Sequence, residues 1–452
     1  MTNAPRPQPG PAREYHFPKF ESRFLTNGMR IIISPVPKLP VITVLAVIDA
    51  TAIADPEDKE GVAEITAQAL RDGTAEIDGT SLTLALEKLG TSLEAGADWD
   101  STVVSLTVLR DKIDRAFTLF SEVIMAPAFR PEDIDRLRSE RLAERMQILD
   151  EPRGLADESF SRFLYAENSR YSEPMSGSSR SVSAITRDDI VAFHKTNYSP
   201  DATTLILAGD LSVEEGMGLA ENAFGEWLGQ RRSKQEGIDR PARAERASQV
   251  VSKADAAQAE LRIGHVGVPR TDPDYFPIVV MNAILGGLFS SRINLNLREA
   301  HGYTYGASSY FDWRRQAGPF VISTAIQTEV TGAAISETLK EIDRLRQEEI
   351  GEEELSLATS YLEGVFPIRY ETTGAIAAAL ANMVTFGLPE DYYDTYRSHI
   401  GAVTTGDVLK AAQIHVKPEE LQIVVVGDPT ILKSQVESVQ TGLLSILETP
   451  TP

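Results

Sequence analysis

Short runs of branched apolar residues along this chain give way to longer stretches in which apolar positions recur every three or four residues. That change of period predicts strands and helices in turn. Residues 29–34 (MRIIIS) and 40–50 (PVITVLAVIDA) read as strands, and the blurred alternation of the second points to burial on both faces. A helix within 61–74, another around 81–89, a hairpin of strands at 92–97 and 102–109, and helices at 111–124 and 131–149 follow. The later part returns to the theme with strands at 259–268, 303–311 and 318–328 and helices at 275–285, 333–348 and 352–362.

The return is a true repeat. Residues 184–210 align without a gap on 402–428, and Ala184/Ala402, Thr186/Thr404, Asp189/Asp407, Pro200/Pro418, Gly209/Gly427 and Asp210/Asp428 are identical pairs. In each copy a Thr caps a helix with an acid in its first turn. A Pro ends the connection, a β-branched run forms a buried strand, and Gly-Asp closes it with a turn. The period is too long for a solenoid and means duplicated domains, each with its own core. Residues 230–257 are polar and charge-dense and read as an exposed linker between them, or as a solvated helix of one half. Residues 1–19 read as a flexible, Pro-rich tail.

With 452 residues the chain suggests several domains, and its net charge of −22 argues against nucleic acid and anionic membrane as partners. The acidity is either a solubility device or the wall of a cavity that favours basic peptides. No apolar run is read as a membrane span and no secretory leader is evident, so the expected location is cytoplasmic, or periplasmic if a leader has been removed. The absence of cysteine rules out disulfides.

Residues 61–74 read GVAEITAQALRDGT. The segment resembles the zinc helix of the pitrilysin/insulinase-type metallopeptidases, where a Gly, a helix carrying His-x-x-Glu-His and a closing Gly-Thr follow at this spacing. On that pattern Glu64 stands at the first zinc histidine, Ala67 at the general-base glutamate and Gln68 at the second histidine. The family's glutamate ligand, counted on from Gln68, falls at Glu144 and Arg145. Zinc needs at least three N, S or carboxylate donors converging on one point, and the water it activates needs a base within reach. Ala67 is no base, Gln68 is a poor ligand, and Glu64 with Glu144 would hold a metal only weakly. None of the six histidines (His16, His194, His265, His301, His399, His415) lies three or four residues from another, so no two share a helix face as ligands. No metal is expected in this chain. The plainer alternative makes Glu64 and Gln68 polar positions on a half-exposed helix.

Residues 285–306 (LGGLFSSRINLNLREAHGYTYG) carry the strongest match. They resemble the Gly-Gly-x-Phe-Ser-Ser-Arg-Leu and Leu-Arg-Glu-x-x-Gly-x-x-Tyr signature of the second half of the same family. The resemblance implies that Arg298 and Tyr305 are a substrate-binding pair facing the zinc across a closed cavity. A guanidinium offers a fixed fork to a peptide carbonyl or terminal carboxylate, and a tyrosine hydroxyl can donate to a developing oxyanion. Alone, Arg298 reads as a helix-surface arginine paired to an acid, Tyr305 as a half-buried strand tyrosine, and His301 as a helix C-terminal histidine. The Gly-Gly pair is no phosphate loop, for no Lys-Ser/Thr follows it. In the family the strand of the 92–109 hairpin accepts substrate as an added strand. That implies Glu94, where the family has Asn, and Ala95 as substrate-binding positions, with plain sheet structure as the alternative.

The resemblance covers residues 20–447 and implies an α+β fold of two homologous domains, 20–229 and 258–447. Each is an antiparallel-rich sheet with helices mainly on one face, and together they form a half-clamshell. It further implies a non-catalytic subunit of a heterodimeric peptidase, lending Arg298 and Tyr305 in trans to a zinc-bearing homologous partner that acts on a peptide substrate. One rival is a non-proteolytic structural subunit of the same fold. Another is an autonomous enzyme using a different metal, against which the missing base at Ala67 argues.

Overall fold

The computed structural model describes residues 14–230 and 239–448. It contains two six-stranded sheets. The first joins β1 (Glu21–Phe24), β2 (Arg30–Pro35), β3 (Val41–Ile48), β4 (Glu94–Ala97), β5 (Thr102–Leu109) and β6 (Thr203–Gly209) in the order β1-β2-β6-β3-β5-β4. The second joins β7 (Ala247–Ser252), β8 (Ala259–Val266), β9 (Ala307–Phe311), β10 (Pro319–Ile326), β11 (Gln422–Gly427) and β12 (Leu443–Leu447) in the order β12-β7-β11-β8-β10-β9. The two are copies of one design: β2 and β6, like β7 and β11, pair parallel, and the inner neighbours pair antiparallel. Only the far edge differs, being filled by the early strand β1 in one sheet and by the last strand β12 in the other.

The repeat folds as its caps dictate. Thr186 and Asp189 form a reciprocal capping box at the start of the helix Arg187–Asn197, and Thr404 and Asp407 do the same for Thr405–His415. The strands that follow, β6 and β11, are buried along their whole length.

The two-sided burial predicted for β3 has a specific cause. Ile42, Val44, Ala46 and Ile48 enter the core that the first half builds with its own helices, including Val62–Ala69, Ile113–Met125 and Arg187–Asn197. Leu45 and Val47 point the other way, against Ile376, Ala377 and Leu380 of the helix Thr373–Phe386 from the second half. The Thr43 and Thr373 hydroxyls meet there at 2.9 Å. The loan is returned: the helix Pro152–Leu164 of the first half lays Leu155, Phe160 and Leu164 on Val321, Val424 and Val426 of the second sheet. Each sheet therefore keeps its own helices on one face and takes a helix from the other half on the opposite face. At about 1.5–3 kcal/mol for each large apolar side chain buried, the exchange ties the halves into one folding unit.

Three sequence expectations need correction. The segment 230–257 is not all linker, because β7 lies inside it; Val250 and Val251 are fully buried between β11 and β12, and a six-residue strand leaves little apolar signal in a charged stretch. Residues 231–238 of that segment lie outside the described residues. Nor is 1–19 all tail: residues 1–13 lie outside the described residues, but Phe17 is buried, stacked on Tyr393 at 4.7 Å between ring centroids, and its N–H donates to Asp394 at 3.2 Å. Lastly, the 26-residue segment Tyr275–Ala300 has the length of a membrane span and holds an 18-residue window at a mean hydropathy of 1.5, contrary to the reading that no run does. Half of its apolar window is packed inside the protein and its helix breaks at 288–291, as a core segment would.

Candidate functional site

The frame of the zinc-type helix survives for reasons of backbone geometry. Gly61 stands before the helix Val62–Ala69 at φ +99°, and a Cβ there would lie 2.5 Å from the Ser176 carbonyl oxygen. Gly73 closes the segment at φ +96°, where a Cβ would lie 2.2 Å from the Ile77 carbonyl oxygen. Only glycine fits either place. The helix N-terminus is capped from a distance by the buried Asp55 carboxylate, which accepts from the Gly61 N–H at 2.7 Å and the Ala63 N–H at 2.9 Å and pairs with Arg170 at 2.9 Å. Burial pushes Asp55 up to about 6, against the opposing pull of Arg170 and the two backbone donors.

The helix is not half-exposed. Val62, Ala63, Ile65, Thr66, Ala67 and Ala69 are buried, Ala67 completely, so the base position is a core alanine. Glu64 and Gln68, one turn apart, face the long helix Pro131–Asp150. Arg141 of that helix donates to Glu64 Oε1 at 2.6 Å and pairs through its other nitrogen with Glu144 at 2.9 Å, while Gln68 Nε2 donates to the same Glu64 oxygen at 3.3 Å. Arg145, one turn on, forms a two-pronged pair with Glu158. Burial raises the Glu64 pKa and Arg141 opposes that rise. These residues do not fit zinc: a guanidinium stands against Glu64 and holds one of its oxygens, the other is a single buried donor atom, and neither Gln68 nor Ala67 supplies the further ligands that are missing.

Arg141 is not singled out by the sequence motifs, and Arg145 enters only beside Glu144 in the count for a third ligand, yet a signal for both was there. Ile134, Leu137, Arg141, Arg145 and Leu149 form the buried stripe of their helix, an apolar period interrupted by two arginines. Buried arginines are retained where an acid is available to pair.

Gln68, Glu94 and Glu144 line a cavity of about 890 Å³ beside this helix pair. Its other acids, among them Asp72, Glu87, Asp133 and Glu140, outnumber Arg71, Arg130 and Arg136, and Arg136 is itself paired with Asp72 and Glu140. Glu94 is exposed and Ala95 half-buried on β4, the edge strand of the first sheet, where they pair with Ser105 and Val104 of β5 and leave the outer side of the strand open.

Arg298 and Tyr305 lie in a different cavity, of about 480 Å³, beside β9 at the edge of the second sheet. Two π-helical segments, Ala283–Gly287 and Leu295–Ala300, flank it, the kind of local widening that recurs at functional sites. Gly286 packs against Ser309 of β9 so closely that a Cβ would lie 2.5 Å from its nitrogen. The Arg298 guanidinium stacks over Phe289 at 4.5 Å from the ring centroid and stands 3.4 Å from Glu299. Tyr305 is 91% exposed, neither half-buried nor in a strand, and its ring projects into the opening. His301 follows the second π-segment, stacked on Tyr303 and 3.8 Å from Glu337.

Comparison with known proteins agrees with this geometry. Residues 30–174 match the family model for insulinase, peptidase family M16, and residues 184–362 match that for the peptidase M16 inactive domain. A Helicobacter pylori protein named non-peptidase homolog YmxG is 23% identical over 81% of this chain and 84% of its own. A probable mitochondrial-processing peptidase subunit beta from Schizosaccharomyces pombe is 25% identical over 60% of this chain and 59% of its own. A solved structure described as a peptidase M16 inactive domain, from Pseudomonas fluorescens, superposes with a TM-score of 0.85 at 26% identity, covering 90% of this chain and 98% of that one. With both halves matched and its zinc ligands replaced by an ion pair, this chain belongs to the M16 peptidase family as an inactive member.

Proposed function

We propose that this chain is the zinc-less subunit of a two-chain M16 peptidase, supplying part of the substrate cavity and the Arg298/Tyr305 pair to a zinc-bearing homologue. The observation that carries the reading is the state of Tyr305: in a chain with no metal site of its own, this side chain stands 91% exposed in a cavity, its hydroxyl without a partner among the described residues. A side chain kept for packing would be covered. A zinc in the partner would supply an activated water; toward a peptide bound in the shared cavity, the Tyr305 hydroxyl would donate to the carbonyl oxygen that gains charge, and Arg298 would hold the neighbouring peptide group. The relation to a protein named as one subunit of a processing peptidase supports a two-chain assembly.

The rival is a structural subunit with no part in proteolysis, and the name of the Helicobacter pylori relative speaks for it. Mixing the purified chain with a zinc-bearing homologue from the same cell separates the two. The peptidase reading expects a stable complex that cleaves peptides faster than the zinc subunit alone. A complex without gain in cleavage leaves the structural reading in front.

A further inference from the structure

The cavity beside β9 is built by both halves. The exchanged helix Pro152–Leu164 starts at its rim, and the second residue of that helix, Arg153, lines it together with Arg298 and Tyr305. The Arg153 side chain is exposed and has no acid or hydrogen-bond acceptor among the described residues. The one carboxylate in the lining, Glu260, is taken by Arg262 at 2.8 Å, and Arg262 is held from its other side by Asp157 at 2.6 Å. Two guanidiniums without a strong partner share this opening on a protein of net charge −22, whereas the cavity of about 890 Å³ in the first half is lined mainly by acids. The floor is the end of the second sheet, where the outer edge of β9 is held by its own half: the Ala307 N–H donates to Asn294 at 3.1 Å and the Ser309 carbonyl accepts from Asn282 at 3.0 Å, so a ligand enters the opening without adding to the sheet.

We infer that this cavity binds a peptide through a carboxylate held between Arg298 of the second half and Arg153 of the first. Arg153 is then a specificity-determining residue, selecting ligands that bring an anion into the opening. The inference rests on the peptide-binding part of the function proposed above, but not on the partner's zinc. The carboxylate can be the C-terminus of the peptide or an acidic side chain, and one experiment distinguishes them.

Fluorescently labelled extended Thr/Val heptapeptides are titrated into the full-length protein without partner: one with a free C-terminus, one as its C-terminal amide, and two amides carrying an internal Glu or an internal Gln. At least one carboxylate-bearing peptide should bind about tenfold or more tighter than its neutral counterpart, as expected for a charge-assisted contact. The pair that differs identifies the source of the carboxylate. Arg153→Gln should remove most of that preference, Arg153→Lys should restore part of it, and both should leave binding of the neutral peptides unchanged. Equal binding of charged and neutral peptides, or a preference untouched by Arg153→Gln, overturns the inference. A preference measured here beside failed cleavage with the zinc subunit would instead count against the partner reading alone.

Discussion

The Arg141 guanidinium donates to Glu64 at 2.6 Å and reaches Glu144 with its other nitrogen at 2.9 Å. A positive charge delivered by the neighbouring helix thus answers the buried carboxylate. The substitution keeps the helix pair together and the backbone frame of Gly61 and Gly73 intact while removing the chemistry.

Because the side chains of Arg141 and Glu64 are only 9% and 15% exposed, breaking the pair leaves a buried charge. Arg141→Ala is expected to cost about 3–5 kcal/mol, whereas Arg141→Met combined with Glu64→Leu should lie within about 1 kcal/mol of the parent. Urea midpoints of the three proteins check this, and a mild single variant would mean that the pair is solvated.

Restoring the motif should not restore the metal. Glu64→His, Ala67→Glu and Gln68→His together put a carboxylate at a fully buried core position and strand Arg141 against a new imidazole. Elemental analysis of the triple variant after dialysis is expected to find no stoichiometric zinc. One zinc per protein molecule would show that Arg141 yields its place.

The exchanged helices predict that the two halves do not unfold separately. Phe160 is buried against the second sheet and belongs to the first half, so Phe160→Ala should cost about 3–5 kcal/mol and lower the stability of both halves in a single transition. Hydrogen exchange along the whole sequence reads this directly. Loss of protection confined to one sheet would refute the coupling.

Asp55 and Asp100 are both pushed up to about 6, chiefly by burial. An aspartate whose folded pKa exceeds its unfolded value favours the folded state when protonated. Its contribution is therefore present below the ordinary aspartate value near 4 and is lost as pH rises through about 6, with a slope on the order of 1 kcal/mol per pH unit per group. Asp100 Oδ2 accepts from the Arg315 N–H at 3.0 Å, a contact that asparagine can keep. The stability difference between Asp100→Asn and the parent should therefore change between about pH 4 and about pH 6, with the variant gaining as pH rises. A difference constant over that range would mean that Asp100 titrates normally.

What could be read in the sequence was local, and what could not was long-range. The Thr186/Asp189 and Thr404/Asp407 boxes, the buried strands behind them and the Gly61 and Gly73 frame depend on neighbours within a few residues, and they fold as the pattern says. The exchange of Pro152–Leu164 for Thr373–Phe386 leaves no such mark, because either helix would be amphipathic whichever sheet it covered. The same holds for the site. Loss of the zinc ligands was legible at Glu64, Ala67 and Gln68, but the ion pair that replaced them spans 77 residues. Arg153 reaches its cavity only through the exchanged helix, and β7 hid its two buried valines in a charged stretch.

In the proposed function Arg298 and Tyr305 act in trans on a substrate held by a zinc-bearing partner. The deciding measurement is peptide cleavage by a complex rebuilt from the wild-type zinc subunit and the Tyr305→Phe variant of this protein, with complex formation measured beside it. The hydroxyl is exposed, so the variant should fold and assemble normally. Turnover should fall by about 10² to 10³, the loss that follows removal of one oxyanion donor. Normal assembly with unchanged turnover would contradict the claim and leave a structural role for this subunit.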